Sequence, residues 1–102
     1  MAELVYLPAG RQARTTEIFL MYFVYVLSSG IRNYLYVGLT NNIERRVKQH
    51  QDGRVRTTRA YKPFTLITKE VYLTRKEARA REKYLKSGSG KEWIKKVKSN
   101  NM

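Results

Sequence analysis

The chain has no cysteine, and its 102 residues include one histidine, one tryptophan and two prolines. Without cysteine there are no disulfides, no thiol nucleophile and no thiolate metal site. One histidine leaves a structural zinc site almost nothing to draw on. Acidic residues are also scarce: eight Asp and Glu stand against 21 Lys and Arg, for a net charge of +13. Long apolar runs are missing too. The longest, Ile18 to Leu27, has ten residues, and a membrane span needs about 20. Arg11 and Arg14 precede that run as they would in a signal peptide. Glu17 abuts it, however, and Tyr22, Phe23 and Tyr25 give it the character of a strand. No small-x-small cleavage site follows. The run therefore reads as a buried strand of a cytoplasmic protein, with no membrane association.

What is present fits one small domain. Hydrophobic residues are 42% and charged residues 28% of the chain, the balance of an ordinary globular domain. The charge is unevenly placed. Residues 1–20 are neutral overall, so residues 21–102 carry the whole excess. Such an excess calls for a polyanion, with nucleic acid ahead of an anionic membrane surface. Pro8, Ala9 and Gly10 break any regular pattern. Residues 1–20 read as a flexible extension, or as sequence upstream of a natural start at Met21. The domain is expected over 21–98, with a disordered tail at 99–102.

Tyr22 to Ser28 is apolar at successive positions, as in a central strand. Ser29, Gly30 and Asn33 mark a turn, and Tyr34 to Leu39 is a second strand forming a hairpin with the first. Asn41 with Glu44 has the form of a capping box opening a helix that ends near Gly53. Ile43, Arg46, Val47 and His50 share one face of it. A basic loop follows, then a third strand over Phe64 to Leu73. Thr74 and Glu77 open a second helix to about Lys86, with Ala78, Glu82 and Leu85 inward. Ser89 and Glu92 open a last helix carrying Trp93, Ile94 and Val97. The order β-β-α-β-α-α predicts an α+β domain, a small three-stranded antiparallel sheet flanked by helices.

Two positions violate the patterning. Arg46 and the sole histidine, His50, lie on the face that should bury Ile43 and Val47. Glu82 lies on an apolar stripe. A charge there is costly unless it is paired or bound to a metal, and such violations are where functional sites are expected. The structural alternative is an Arg46–Glu82 salt bridge, with His50 a satisfied boundary residue.

The residues then reveal a resemblance. Val24-Tyr25-Val26, Tyr36-Val37-Gly38, the stretch Leu39 to His50 and the stretch Glu77 to Lys86 resemble, in order and spacing, the motifs of the GIY-YIG nuclease superfamily. The likeness is greatest to small stand-alone bacterial proteins made of this domain alone. Two departures stand out. Val24 replaces the first-motif glycine. The Asn that many family nucleases carry beyond the Glu is absent, since Ile94 and Val97 fall there and Asn100 comes later.

The resemblance implies metal-assisted hydrolysis of a phosphodiester. Tyr25, Tyr36, Arg46, His50 and Glu82 would be catalytic. Glu82 would hold one divalent ion, Mg²⁺ or Mn²⁺, and Arg46 would brace the phosphate with its planar fork. Tyr25 or His50 would act as base. An ordinary tyrosine, with a pKa near 10, is a poor base at pH 7, so Arg46 and the metal would have to lower it. Gly38 would admit a close approach. Arg45, Lys48, Arg54, Arg56, Arg59 and Lys62 would grip nucleic acid, DNA ahead of RNA, with Tyr61 as a stacking platform. Nothing resembles a base-reading module, so specificity would be weak and salt dependence strong. Targeting would come from a protein partner, unless the substrate is simple. Two other readings remain beside a nuclease of branched, damaged or single-stranded DNA. One is a non-catalytic nucleic-acid-binding protein of the same fold. The other is a partner-binding module whose charge serves solubility.

Overall fold

The computed structural model describes residues 4–6, 12–14 and 21–100. Two short strands, β1 (Leu4–Tyr6) and β2 (Gln12–Arg14), pair antiparallel. Sequence patterning did not indicate them. The rest of the expected flexible extension lies outside the described residues.

The remaining elements follow the expected order. They are β3 (Tyr22–Ser29), β4 (Leu35–Thr40), α1 (Ile43–Gln51), β5 (Phe64–Tyr72), α2 (Arg75–Leu85) and α3 (Gly88–Asn100), with a 3₁₀ turn at Arg59–Tyr61. The sheet order is β4-β3-β5, all antiparallel. This is the α+β sheet foreseen, with the doubly apolar strand at its centre.

Alternation along β3 divides the core in two. Val24 and Val26 pack with Val37, Ala78, Leu85 and Ile94, on the face covered by α2 and α3. Tyr25 and Leu27 point the other way, to Phe64 and the partly buried Tyr36, Ile43, Val47 and Tyr61. α1 and the loop after it close that second face. Arg81 ties α2 to β5 through paired hydrogen bonds to the Glu70 carboxylate at 2.8 and 3.0 Å. The Arg81 guanidinium also lies 4.7 Å from the Trp93 ring centroid.

The helix boundaries shift slightly from expectation. Asn42, not Asn41, caps α1, its Oδ1 accepting the Arg45 N–H at 3.1 Å. Thr40 decides this: its hydroxyl oxygen accepts the Asn42 N–H and holds the entry turn one residue later. The far end is a glycine cap, as expected. Gly53 has φ +76°, its N–H reaches the His50 carbonyl, and Arg54 N–H reaches that of Gln49. Thr74 caps α2 through the Glu77 N–H. α3 opens at Gly88, earlier than Ser89, because Ser87 supplies the acceptor for Gly90 N–H. α3 also runs through Asn100, which corrects the expected tail at its first two positions; residues 101–102 lie outside the described residues. No described helix is long and apolar enough to cross a membrane.

Candidate active site

Strand register builds the centre of the site. Tyr25 of β3 pairs with Gly38 of β4. The Tyr25 ring crosses the space a side chain at position 38 would occupy. A Cβ on Gly38 would stand 2.4 Å from both Cζ and the hydroxyl oxygen of Tyr25. Glycine is thus required by the phenol lying over the neighbouring strand. Tyr36, two residues earlier on β4, brings its ring centroid to 6.1 Å from that of Tyr25 and 4.8 Å from that of His50.

α1 delivers the third ring. His50 comes in the last turn of the helix and is wholly buried. Its Nε2 lies 2.8 Å from the Tyr25 hydroxyl, and its Nδ1 lies 2.8 Å from the hydroxyl of Thr58. Thr58 is itself fully buried. Burial, and then the charge of Arg46, push the His50 pKa down from 6.5 to about 4, so the imidazole is neutral at pH 7. Tyr25 moves the other way. Burial and Tyr36 outweigh the Arg46 guanidinium, and its pKa is pushed up to about 12. Arg46 acts in the expected direction, but removal from water outweighs it, so the cation alone does not make Tyr25 more acidic.

Arg46 joins this buried cluster to an open cleft. Its guanidinium faces the phenols of Tyr25 and Tyr36 and donates to Gln49 Oε1 at 3.1 Å. The cleft has a volume of about 510 Å³, and its walls include Arg45, Arg46, Arg75, Arg79, Gln49, Thr40, Asn41 and Glu82. Four guanidinium groups around one carboxylate form a site for an anion with several oxygens, which is what a phosphodiester offers.

Glu82 reaches the cleft from the buried face of α2 and is 6% exposed. Arg79 binds one of its oxygens at 3.1 Å and Lys86 the other at 3.2 Å. The anticipated Arg46–Glu82 bridge is not made, because the neighbouring turns of α2 supply both cations. Among the described residues no three His, Asp or Glu side chains converge on one point. The donor set is thus a single carboxylate beside the oxygen-bearing Thr40 and Asn41. That does not suit zinc. It does suit a hard divalent ion that keeps most of its waters, and the exposed, flexible ends of Arg79 and Lys86 can yield to one.

All five residues expected to be catalytic fall in this region. Tyr25, Tyr36, Arg46 and His50 form one cluster, and Arg46 and Glu82 share the cleft. Among the expected binding residues, Arg45 lines the cleft. Lys48 sits on the exposed side of α1, paired with Asp52 at 2.9 Å. Arg54, Arg56, Arg59 and Lys62 are exposed on the loop between α1 and β5. Tyr61 is stacked on Tyr34 at 3.8 Å with planes 5° apart, so one face of the expected platform is already covered. Sequence reasoning missed Arg75, Arg79 and Thr58. The first two were within reach, since Arg75, Arg79 and Glu82 stand at i, i+4 and i+7 on one helical face. Thr58 carried no periodic signal, being in a loop.

Comparison with known proteins places these features in context. The sequence model of one family, the GIY-YIG catalytic domain, matches residues 21–100. A UPF0213 protein of Bacillus licheniformis is 44% identical over 71 residues, which is 69% of this chain and 72% of that one. A UPF0213 protein of Clostridium perfringens is 39% identical over 67 residues, covering 65% and 71%. The human structure-specific endonuclease subunit SLX1 is 47% identical over 47 residues, 46% of this chain but 17% of that protein. Among solved structures, the solution structure of a UPF0213 protein from Bacillus halodurans matches with a TM-score of 0.48 at 30% identity, covering 76% of this chain and 85% of that one.

Proposed function

Because the chain belongs to the GIY-YIG catalytic domain family, a family of nucleases, we propose that it is a divalent-metal-dependent endonuclease that hydrolyses DNA phosphodiesters with low sequence specificity. One observation carries this reading. Arg46 faces the Tyr25–Tyr36 phenol pair on one side and lines the Glu82 cleft on the other. Nucleic-acid binding alone needs no such convergence of phenols, imidazole, guanidinium and buried carboxylate.

The geometry supports the following roles. The arginines of the cleft hold the phosphate, with Arg46 nearest the phenols. Mg²⁺ or Mn²⁺ bound at Glu82 would offset charge on the phosphate oxygens and on the leaving 3′ oxygen. Tyr25 and Tyr36 orient the attacking water. Tyr25 and His50 are both buried, but the Tyr25 hydroxyl lies between His50 Nε2 and the cleft-lining Arg46, so His50 acts through Tyr25. The water proton passes to the Tyr25 oxygen while the Tyr25 proton passes to His50 Nε2. The new hydroxide oxygen bonds to phosphorus, and the bond to the 3′ oxygen breaks. The imidazole is neutral at pH 7 and has a free nitrogen, but the burial and Arg46 charge that keep it neutral also make it a weak base, so its proton transfer runs in concert with attack on phosphorus; a phenol with a pKa of about 12 is too rarely ionised to act alone.

Branched or single-stranded DNA is the favoured substrate, since one relative is named a structure-specific endonuclease; the exposed cations of the loop after α1 suit phosphate contacts more than base readout. Such a substrate fits an enzyme of the cytoplasm, where a protein partner would supply targeting.

The test uses labelled single-stranded, duplex and branched DNA, and RNA, with Mg²⁺, Mn²⁺ or EDTA. Metal-dependent cutting should disappear in Glu82→Ala and Arg46→Ala while circular dichroism stays native. Binding without cutting on every substrate would instead establish a non-catalytic nucleic-acid-binding protein.

A further inference from the structure

The hydrogen-bond chain through His50 has a donor-only group at one end and an acceptor-only group at the other. Arg46 faces the Tyr25 oxygen and, as a guanidinium, can only donate. The phenol proton therefore points elsewhere, to the Tyr36 hydroxyl or to His50 Nε2, and the close contact at 2.8 Å is with His50. At the far end the Thr58 hydroxyl is 2.8 Å from His50 Nδ1 and 3.4 Å from the Val55 carbonyl. A carbonyl can only accept. If Thr58 gives its proton to Val55, its oxygen is left to accept from Nδ1–H.

We infer that Thr58 is a positioning residue that holds neutral His50 in the Nδ1–H tautomer, so that Nε2 is kept free to receive the Tyr25 proton. The protons then all run one way: Tyr25 to His50, His50 to Thr58, Thr58 to Val55. The opposite tautomer would point Nε2–H at Tyr25, which already faces the donors of Arg46, and would leave the phenol proton only the Tyr36 hydroxyl to turn to. Once Nε2 gains its proton, the imidazolium donates from both nitrogens, and the Thr58 oxygen accepts from Nδ1 without rearranging.

Backbone geometry fixes Thr58 for this role. Its N–H donates to the Val55 carbonyl at 3.1 Å, and its own carbonyl accepts the Tyr61 N–H at 2.9 Å. No water is needed to complete the chain, since every buried side-chain nitrogen and oxygen among the described residues has a partner.

The catalytic part of this inference rests on the nuclease reading; the tautomer does not. Because His50 is the only histidine, its two ring nitrogens can be read directly in a long-range ¹H–¹⁵N spectrum at pH 7. The wild type should show a protonated Nδ1 and an unprotonated Nε2. Thr58→Val keeps the shape and removes the acceptor. It should shift the tautomer toward Nε2–H and lower cleavage roughly 10- to 100-fold, and Thr58→Ser should restore both. A wild-type spectrum with Nε2–H overturns the inference, and that measurement stands even if Thr58→Val fails to fold. A folded Thr58→Val that keeps Nδ1–H, or one that changes tautomer without losing rate, overturns it as well. Wild-type protein that cuts nothing would sink the nuclease reading, while the spectrum still decides the tautomer.

Discussion

At the scale of single residues, the site is governed by what burial does to ionisation. His50 is packed neutral among Tyr25, Tyr36 and Phe64 with the Arg46 cation nearby. Its pKa is about 4 in the folded protein against 6.5 unfolded. Between those values the unfolded chain binds a proton that the folded one refuses, so stability falls as pH drops from 6.5 to 4 and levels off below. The His50 contribution to that loss is on the order of 3 kcal/mol. Urea titrations at pH 7 and pH 4.5 should show it in the wild type and show a smaller loss in His50→Gln. Gly38 gives a second expectation. Ala at this position must displace a buried, hydrogen-bonded phenol, at a cost of about 1–3 kcal/mol. Cleavage should fall further than stability, because the displaced group is Tyr25. A stable, fully active Gly38→Ala would show that the phenol position is not critical.

At the scale of elements, the α2–α3 junction is set by close backbone packing at Gly90. A Cβ on Gly90 would lie 2.1 Å from the Tyr84 carbonyl oxygen and 2.5 Å from Leu85 Cα. Those are backbone atoms, so relief requires the two helices to part. Alanine gains about 1 kcal/mol of helix propensity over glycine. At Gly90 the clash should exceed that gain and leave Gly90→Ala destabilised by about 1–3 kcal/mol. At Gly88, the start of the same helix, an added Cβ would meet nothing within 4 Å. Gly88→Ala should therefore be neutral or stabilising by up to about 1 kcal/mol. Thermal melts of the two variants side by side test whether close packing, and not helix propensity, sets this junction.

At the scale of the whole molecule, charge dominates. A net +13 on 102 residues, with arginines in the cleft and more basic residues on the loop after α1, predicts affinity driven by counterion release. For 6–10 phosphate contacts, DNA binding should weaken by about 10³- to 10⁵-fold between 50 and 200 mM salt. Fluorescence anisotropy on duplex and single-stranded oligonucleotides would measure this. Affinity that hardly changed with salt would contradict a backbone-gripping surface and point to a desolvated, base-specific one.

Local patterning by itself determined the element order from Tyr22 onward, the central place of β3, the glycine end of α1 and the odd charges at Arg46 and Glu82. Those features rest on side-chain periodicity and short-range capping, which a linear sequence displays. The likeness of the motifs added the candidate roles of Tyr25, Tyr36, Arg46, His50 and Glu82. Tertiary structure alone decided which partners those groups have. Helical spacing already offered Arg79 and Lys86 to Glu82, but that Arg46 makes no bridge to it was decided in three dimensions. Tyr25 becomes a weaker acid despite the nearby arginine, since desolvation depends on what packs around the ring. Thr58 meets His50 because the loop after α1 folds back across eight residues, a closure with no periodic trace in the sequence.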